Sequence, residues 1–208
     1  MFESEIIKTM QNLVGYFSKN ELAYLAFTSK VERPIRDKFA WIMYLKYENK
    51  KNYHVTREYG VIGERDKIDF AILDKKSNAP KCLIEFKAIS VLPALNEGRT
   101  FKMMEEDFKK MKTFRGSTNS EKYFIQLVNI PKKVLCKSYE CQIAPSHFKK
   151  INEYSEKNDP QKFQKQVIKK WEDNIEKLNY IASPCIILKA GDFYGNPMEI
   201  LCWVIRKV

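Results

Sequence analysis

Glycine is scarce in this chain, with seven in 208 residues. There is no G-x-x-x-x-G-K-[ST] loop, no G-x-G-x-x-G turn and no G-x-S-x-G elbow. Phosphate-cradling nucleotide folds and serine-hydrolase elbows are therefore disfavoured. Histidine is scarcer still: His54 and His147 stand alone, and each reads as a surface or packed side chain rather than a ligand. The five cysteines are Cys82, Cys136, Cys141, Cys185 and Cys202. An odd number suits reduced thiols better than a disulfide framework. Cys136 and Cys141 lie close, but no second Cys/His pair completes a zinc set. No stretch approaches the roughly 20 apolar residues of a membrane span. The opening MFESEIIKTM lacks the basic and apolar regions of a signal peptide. The expectation is a cytoplasmic protein with no membrane partner. No repeat or low-complexity segment is present.

Positive charge is what the chain has in excess. Its 37 Lys and Arg against 26 Asp and Glu leave a net charge of +11. Such an excess favours a polyanion, most simply nucleic acid, through phosphate neutralisation. A Lys-rich composition without a partner would give the same sum. With 44% hydrophobic residues, this length suits one domain with a sizeable core.

Hydrophobic spacing orders the elements. Ile6, Ile7, Met10, Leu13, Val14 and Phe17 recur at helical intervals. SKNELAYLAF continues as a second short helix. TSKVERPIRDKFAWIMYLKYE is a third, around Pro34 in an early turn. YHVTREYGV and KIDFAILD then read as strands joined through a turn at Gly63, and KKSNAP is a turn. KCLIEFKAIS is dense enough in apolar residues to be a central strand. FKMMEEDFKKMKTF is an amphipathic helix, and KYFIQLVNI is another buried strand. Beyond Pro131 the next clear element is a helix with Asp159 as N-cap, Pro160 as its first residue, and Phe163, Val167, Trp171, Ile175 and Leu178 as its stripe. Lys162, Lys165, Lys169 and Lys170 on that helix are either a solvated face or phosphate contacts. Two strands around a YGNP turn end the chain. The expected class is α/β, a mixed central sheet flanked by helices.

Three charges sit where apolar residues should be. Asp69 lies in KIDFAILD, and Glu85 and Lys87 lie in KCLIEFKAIS. Residues two apart in a strand share a face, so Glu85 and Lys87 project together. If the two strands pair as a hairpin, Asp69 comes close to Glu85 across the ladder. Two converging carboxylates make a hard oxygen site suited to Mg²⁺ or Mn²⁺. An adjacent ammonium can orient or help deprotonate a water, or stabilise charge developing on a phosphate. The plainer reading is an exposed Glu85–Lys87 pair on an edge strand, with Asp69 capping a turn.

IDFAIL, a turn and LIEFKA together resemble the signature of the PD-(D/E)XK nuclease superfamily, whose fold is restriction-endonuclease-like. Asp69, Glu85, Phe86 and Lys87 carry the match, and Ile68 stands where the pattern has proline. The flanking element order also matches, over residues 21–130. The resemblance implies a single nuclease domain with this core, to which residues 131–208 add a helix, strands and elements of specificity. It implies Mg²⁺-dependent hydrolysis of phosphodiester bonds in double-stranded DNA, with Mn²⁺ able to substitute. Asp69 and Glu85 would hold the metal and Lys87 would act on the water. Glu32, on the preceding helix, would be a further catalytic and metal residue. Glu58 and Glu64 are weaker candidates for an extra ligand. Arg33, Arg36, Lys109 and Lys110 would contact nucleic acid, with Lys112 beside them. A homodimeric type II restriction endonuclease fits the length. A repair, antiphage or mobile-element nuclease would use the same core, and a non-catalytic nucleic-acid-binding protein is the alternative outside enzymes.

Overall fold

The computed structural model describes residues 2–60, 67–90, 97–114, 117–133 and 160–208. The expected Gly63 turn, Glu64, Cys136, Cys141, His147 and the Asp159 cap lie outside them. Helices α1 (Glu3–Asn12), α2 (Glu21–Thr28) and α3 (Glu32–Tyr47) come first, with a 3₁₀ turn at Leu13–Tyr16 after α1. Strands β1 (Tyr53–Gly60), β2 (Lys67–Asp74) and β3 (Pro80–Ser90) follow. Helix α4 (Glu97–Thr113) leads to β4 (Glu121–Pro131), and helix α5 (Pro160–Lys177) leads to β5 (Tyr180–Ala182), β6 (Ile186–Phe193) and β7 (Asn196–Lys207).

The strands form one mixed sheet in the order β1-β2-β3-β4-β7-β5, with β6 also on β7. β1, β2 and β3 are an antiparallel meander. β3 and β4 run parallel, which obliges the chain to cross over between them, and α4 is that crossover. β7 pairs with β4 along one edge. Its other edge takes β6 along its first half and β5 along its second. The C-terminal part is therefore integral to the sheet rather than an addition to it.

Alternation along the strands divides the core into two layers. Phe70, Ile84, Phe86, Ile125 and Val204 face α1, α2 and α3. Leu83, Phe124, Val128, Leu201 and Trp203 face α4 and α5. Two local readings need correction. The final turn is the pair Tyr194 and Gly195, both at positive φ, a primed hairpin geometry, and Asn196 and Pro197 already belong to β7. Helix α5 stops at Lys177, one residue before the expected stripe end at Leu178, because Asn179 takes a left-handed conformation at φ 57°, and Tyr180 starts a short strand.

The layer beneath α4 and α5 centres on aromatic stacking. Trp171 is fully buried. Its ring lies 5.6 Å from Trp203 and 4.7 Å from Phe101. Trp171→Ala is expected to cost about 3–5 kcal/mol, as for other buried Trp truncations. Urea unfolding measures it, and a loss below about 1 kcal/mol would mean that this stack is not core.

Candidate active site

The β2–β3 hairpin shifts register between Ile72 and Leu73 and then runs in register from Ile72 up to Phe70, which lies opposite Ile84. One further step sets Asp69 opposite Glu85, and there the ladder opens. The Phe86 amide donates to Asp69 Oδ2 at 2.8 Å instead of to a β2 carbonyl. The Ala88 amide, two residues on and on the same edge, donates to Glu32 Oε2 at 3.0 Å. A buried backbone N–H must find an acceptor, and these two find carboxylates. Glu32 opens α3, so the helix start is anchored directly to the free edge of β3.

The opening has a backbone cause. Simple alternation would put Ile68 in the same layer as Phe70. Instead Ile68 packs with Ala71 and Leu73 beneath α4, so β2 turns about its own axis at Asp69. β1 turns at the same row. Its register to β2 would set Glu58 opposite Asp69, and Glu58 has a left-handed φ of 51°, uncommon outside glycine. The sequence expectation of a plain ladder contact between Asp69 and Glu85 is thus refined: their rows align, and the Asp69 carboxylate lies in the gap.

Cations from two helices reach this row. Arg36 Nη1 lies 2.8 Å from Asp69 Oδ1 and 2.9 Å from Glu58 Oε1. Its Nε lies 3.4 Å from Asp37. Burial works against the guanidinium charge, but Asp69, Glu58 and Asp37 outweigh it, and its pKa is raised. Arg36 was expected at a phosphate; it is buried and tied to three carboxylates instead. From α4, Lys110 Nζ lies 2.5 Å from Glu85 Oε1 and donates to the Lys67 carbonyl. Lys110, also expected on nucleic acid, is thus engaged inside the site. Lys109 and Lys112 line a separate wide cleft with Tyr123 and Tyr180. Arg33 is exposed beside Glu32.

Two residues missing from the sequence reading complete the site. Asp107 Oδ2 lies 3.5 Å from Lys87 Nζ. Asp107 and Lys110 are three apart on α4, hence on one face. They pair crosswise, with Lys87 and Glu85 respectively. The second is Gln126, opposite Lys87 on β4 and fully buried. Its side-chain amide donates to the carbonyls of Lys87 and Leu127. A lone glutamine inside the apolar run YFIQLVNI was the available signal for it. For Asp107 the signal was its i, i+3 spacing to Lys110.

Burial and charge set the protonation states. Burial, and then the neighbouring Asp69, push the Glu85 carboxyl up to about 8, against the pull of Lys110. Burial disfavours the Lys87 charge, but Asp107, Glu32 and Glu85 reverse that and raise its pKa. Lys87 is therefore an ammonium at neutral pH, suited to positioning and charge stabilisation. The alternative of a neutral amine taking a proton from water is not supported.

Do these residues fit a divalent cation? Among the described residues, no group of three or more His, Cys, Asp or Glu side chains forms a ready cage. A Mg²⁺ site does not require one, because this ion is held by one or two carboxylates and keeps waters and substrate oxygens. Glu85 Oε1 and Asp107 Oδ2 are buried and without a directed hydrogen bond; the close Lys110 and Lys87 approaches are ion pairs of poor alignment. Five acidic side chains (Glu32, Glu58, Asp69, Glu85, Asp107) meet three cations (Arg36, Lys87, Lys110). With Glu85 protonated the shortfall is one charge, and with Glu85 ionised it is two, which one divalent ion would balance; hard oxygen donors suit that ion. The donor set fits. No family model, curated protein or solved structure matches this chain.

The raised Glu85 carboxyl makes a stability prediction. An unfolded glutamate titrates near 4.5. Between about 4.5 and about 8 the folded chain keeps a proton that the unfolded chain has released, so stability falls as pH rises through that window. Glu85→Gln is expected to flatten this slope, read from urea midpoints at about pH 5 and about pH 8.5 in EDTA. Mg²⁺ is expected to raise the wild-type melting temperature at the higher pH and leave Glu85→Gln unmoved. Equal slopes in both proteins would refute the assignment.

Proposed function

We propose that the chain is a Mg²⁺-dependent endonuclease that hydrolyses phosphodiester bonds in DNA, on a PD-(D/E)XK-type site. One observation carries the reading: just past the last β2–β3 pair, Phe70 with Ile84, the Asp69 carboxylate accepts the Phe86 amide beside Glu85, with Lys87 two residues on from Glu85 along β3. The net charge of +11 supports a nucleic-acid substrate. Asp69, Glu85 and Glu32 are the residues that would hold the metal. Bound there, Mg²⁺ would polarise the phosphoryl oxygen and lower the pKa of a coordinated water.

The chain's own groups do the remaining work. Lys87, held charged by Asp107 and Glu32, orients the attacking water and stabilises the negative charge that grows on the phosphate. Gln126 fixes the Lys87 backbone. Arg36 holds Asp69 in place. Arg33, exposed at the start of α3, contacts the strand being cut. Lys110, whose ion pair with Glu85 a bound metal would replace, would join it. A homodimeric type II restriction endonuclease is the finer form of this proposal.

Purified protein is expected to cut plasmid DNA with Mg²⁺ or Mn²⁺ and not with EDTA. Lys87→Ala should lower the rate about 100-fold or more while DNA binding persists, as when a charge-stabilising group is removed elsewhere. Discrete fragments would support the restriction enzyme, and a smear would keep the nuclease without it. Absence of both cleavage and salt-sensitive DNA binding would end the nucleic-acid reading.

A further inference from the structure

Helix α3 does more than supply Glu32 and Arg36. Five residues beyond Arg36, about 7–8 Å along the axis, it presents Trp41 and Tyr44 to solvent. Trp41 is 54% exposed and Tyr44 42%. Their rings stack at 5.5 Å with only 19° between planes. Solvent-facing aromatics of this size with no packing role mark a contact surface. The other two tryptophans, Trp171 and Trp203, are fully buried.

Trp41 stands between two grooves of about 290 Å³ each. The inner one runs between Trp41 and Tyr44 on the helix and Val55–Arg57 on β1, with Ala40 and Phe70 in its lining. Ion pairs link this groove to the candidate site. Phe70 adjoins Asp69 in sequence. Asp37, at the groove mouth, takes Arg57 at 3.1 Å and Arg36 at 3.4 Å, and Arg36 holds Asp69. Arg57, half exposed, is the cation in the lining of the inner groove, and Lys38 lines the outer one.

From this arrangement we infer that the inner groove is a stacking site for one unpaired nucleobase, near the site where Asp69 and Glu85 would hold a metal against the phosphate. The base lies against the Trp41–Tyr44 stack, and Arg57 meets its backbone phosphate. Aromatic faces flanked by cations are how proteins hold single strands, because every base offers a π-face and every nucleotide a phosphate. The inference rests on the nuclease reading and narrows its substrate class: strands with an unpaired nucleotide at the cut site are preferred to fully paired duplex.

The test uses the Lys87→Ala protein in EDTA, with a fluorescein-labelled single-stranded 20-mer and the blunt duplex of the same sequence. Adding Trp41→Ala is expected to weaken single-strand binding about tenfold or more and duplex binding less than twofold, by anisotropy. Trp41→Phe should restore most of the loss. The unlabelled 20-mer should quench tryptophan fluorescence in Lys87→Ala, and the quenching should vanish with Trp41. Equal losses on both oligonucleotides, or no quenching, would overturn the stacking site. So would a wild-type dimer that Trp41→Ala dissociates, which would assign the surface to a second copy. Cleavage of both substrates unchanged by Trp41→Ala would remove the stacking site and leave the nuclease. Trp41-dependent single-strand binding without cleavage by the wild type would do the reverse.

Discussion

The hydrogen bond from the Phe86 amide to Asp69 Oδ2 is the constraint from which the rest of the site follows. β3 continues past the point where β2 turns away, so its outer edge presents amides inside the protein with no strand to receive them. Leaving either unpaired would cost on the order of 1–3 kcal/mol. Asp69 takes one and Glu32 the next. The acids are thus positioned by backbone satisfaction before any ligand arrives, which is the kind of support that holds functional groups within useful tolerance. It also explains why the start of α3, rather than some other helix, lies at the site: its first residue is the acceptor for Ala88.

Once the carboxylates are gathered, charge becomes the second constraint. Buried like charges repel strongly unless cations or protons intervene. Arg36 and Lys110 supply the cations, and the raised Glu85 carboxyl supplies the proton. Each is a weaker solution than a divalent ion. Arg36 is shared among three acids, and Lys110 approaches Glu85 without a directed hydrogen bond. The same crowding fixes the state of Lys87. Asp107 and Glu32 favour its charged form.

Much of this was legible in the sequence, and the limits are physical. Period-two and helical patterns located the helices and strands described here, apart from the three-residue β5, which is too short to carry a period. Asp69, Glu85 and Lys87 stood out because charges in apolar strands need a reason. Glu32 was legible only through the resemblance. Arg36 was misplaced because a sequence shows an arginine near a site without showing which way the helix turns it. Asp107 was overlooked for the same reason, its neighbours Lys109 and Lys110 drawing attention to charge of the other sign. The turn of β2 at Asp69 was invisible, since Ile68 is apolar and either layer would accept it.

The packed layers and the site are one mechanical unit, and Phe39 shows why. Its ring sits 5.2 Å from Phe70 and 5.3 Å from Phe86, edge-on to both. Phe70 follows Asp69, and Phe86 follows Glu85. One fully buried side chain of α3 therefore clamps both strands at the row where they part. The separation of the two acids is set by aromatic contact in the layer beneath α3. The cation that answers Glu85, Lys110, comes from α4 on the other side of the sheet. Interiors are close-packed and transmit small displacements rather than absorbing them, so a change of ring size at position 39 would reach the carboxylates before it reached the surface. The stability of the fold and the geometry of the site are in that sense the same quantity, measured at two depths of the same helix.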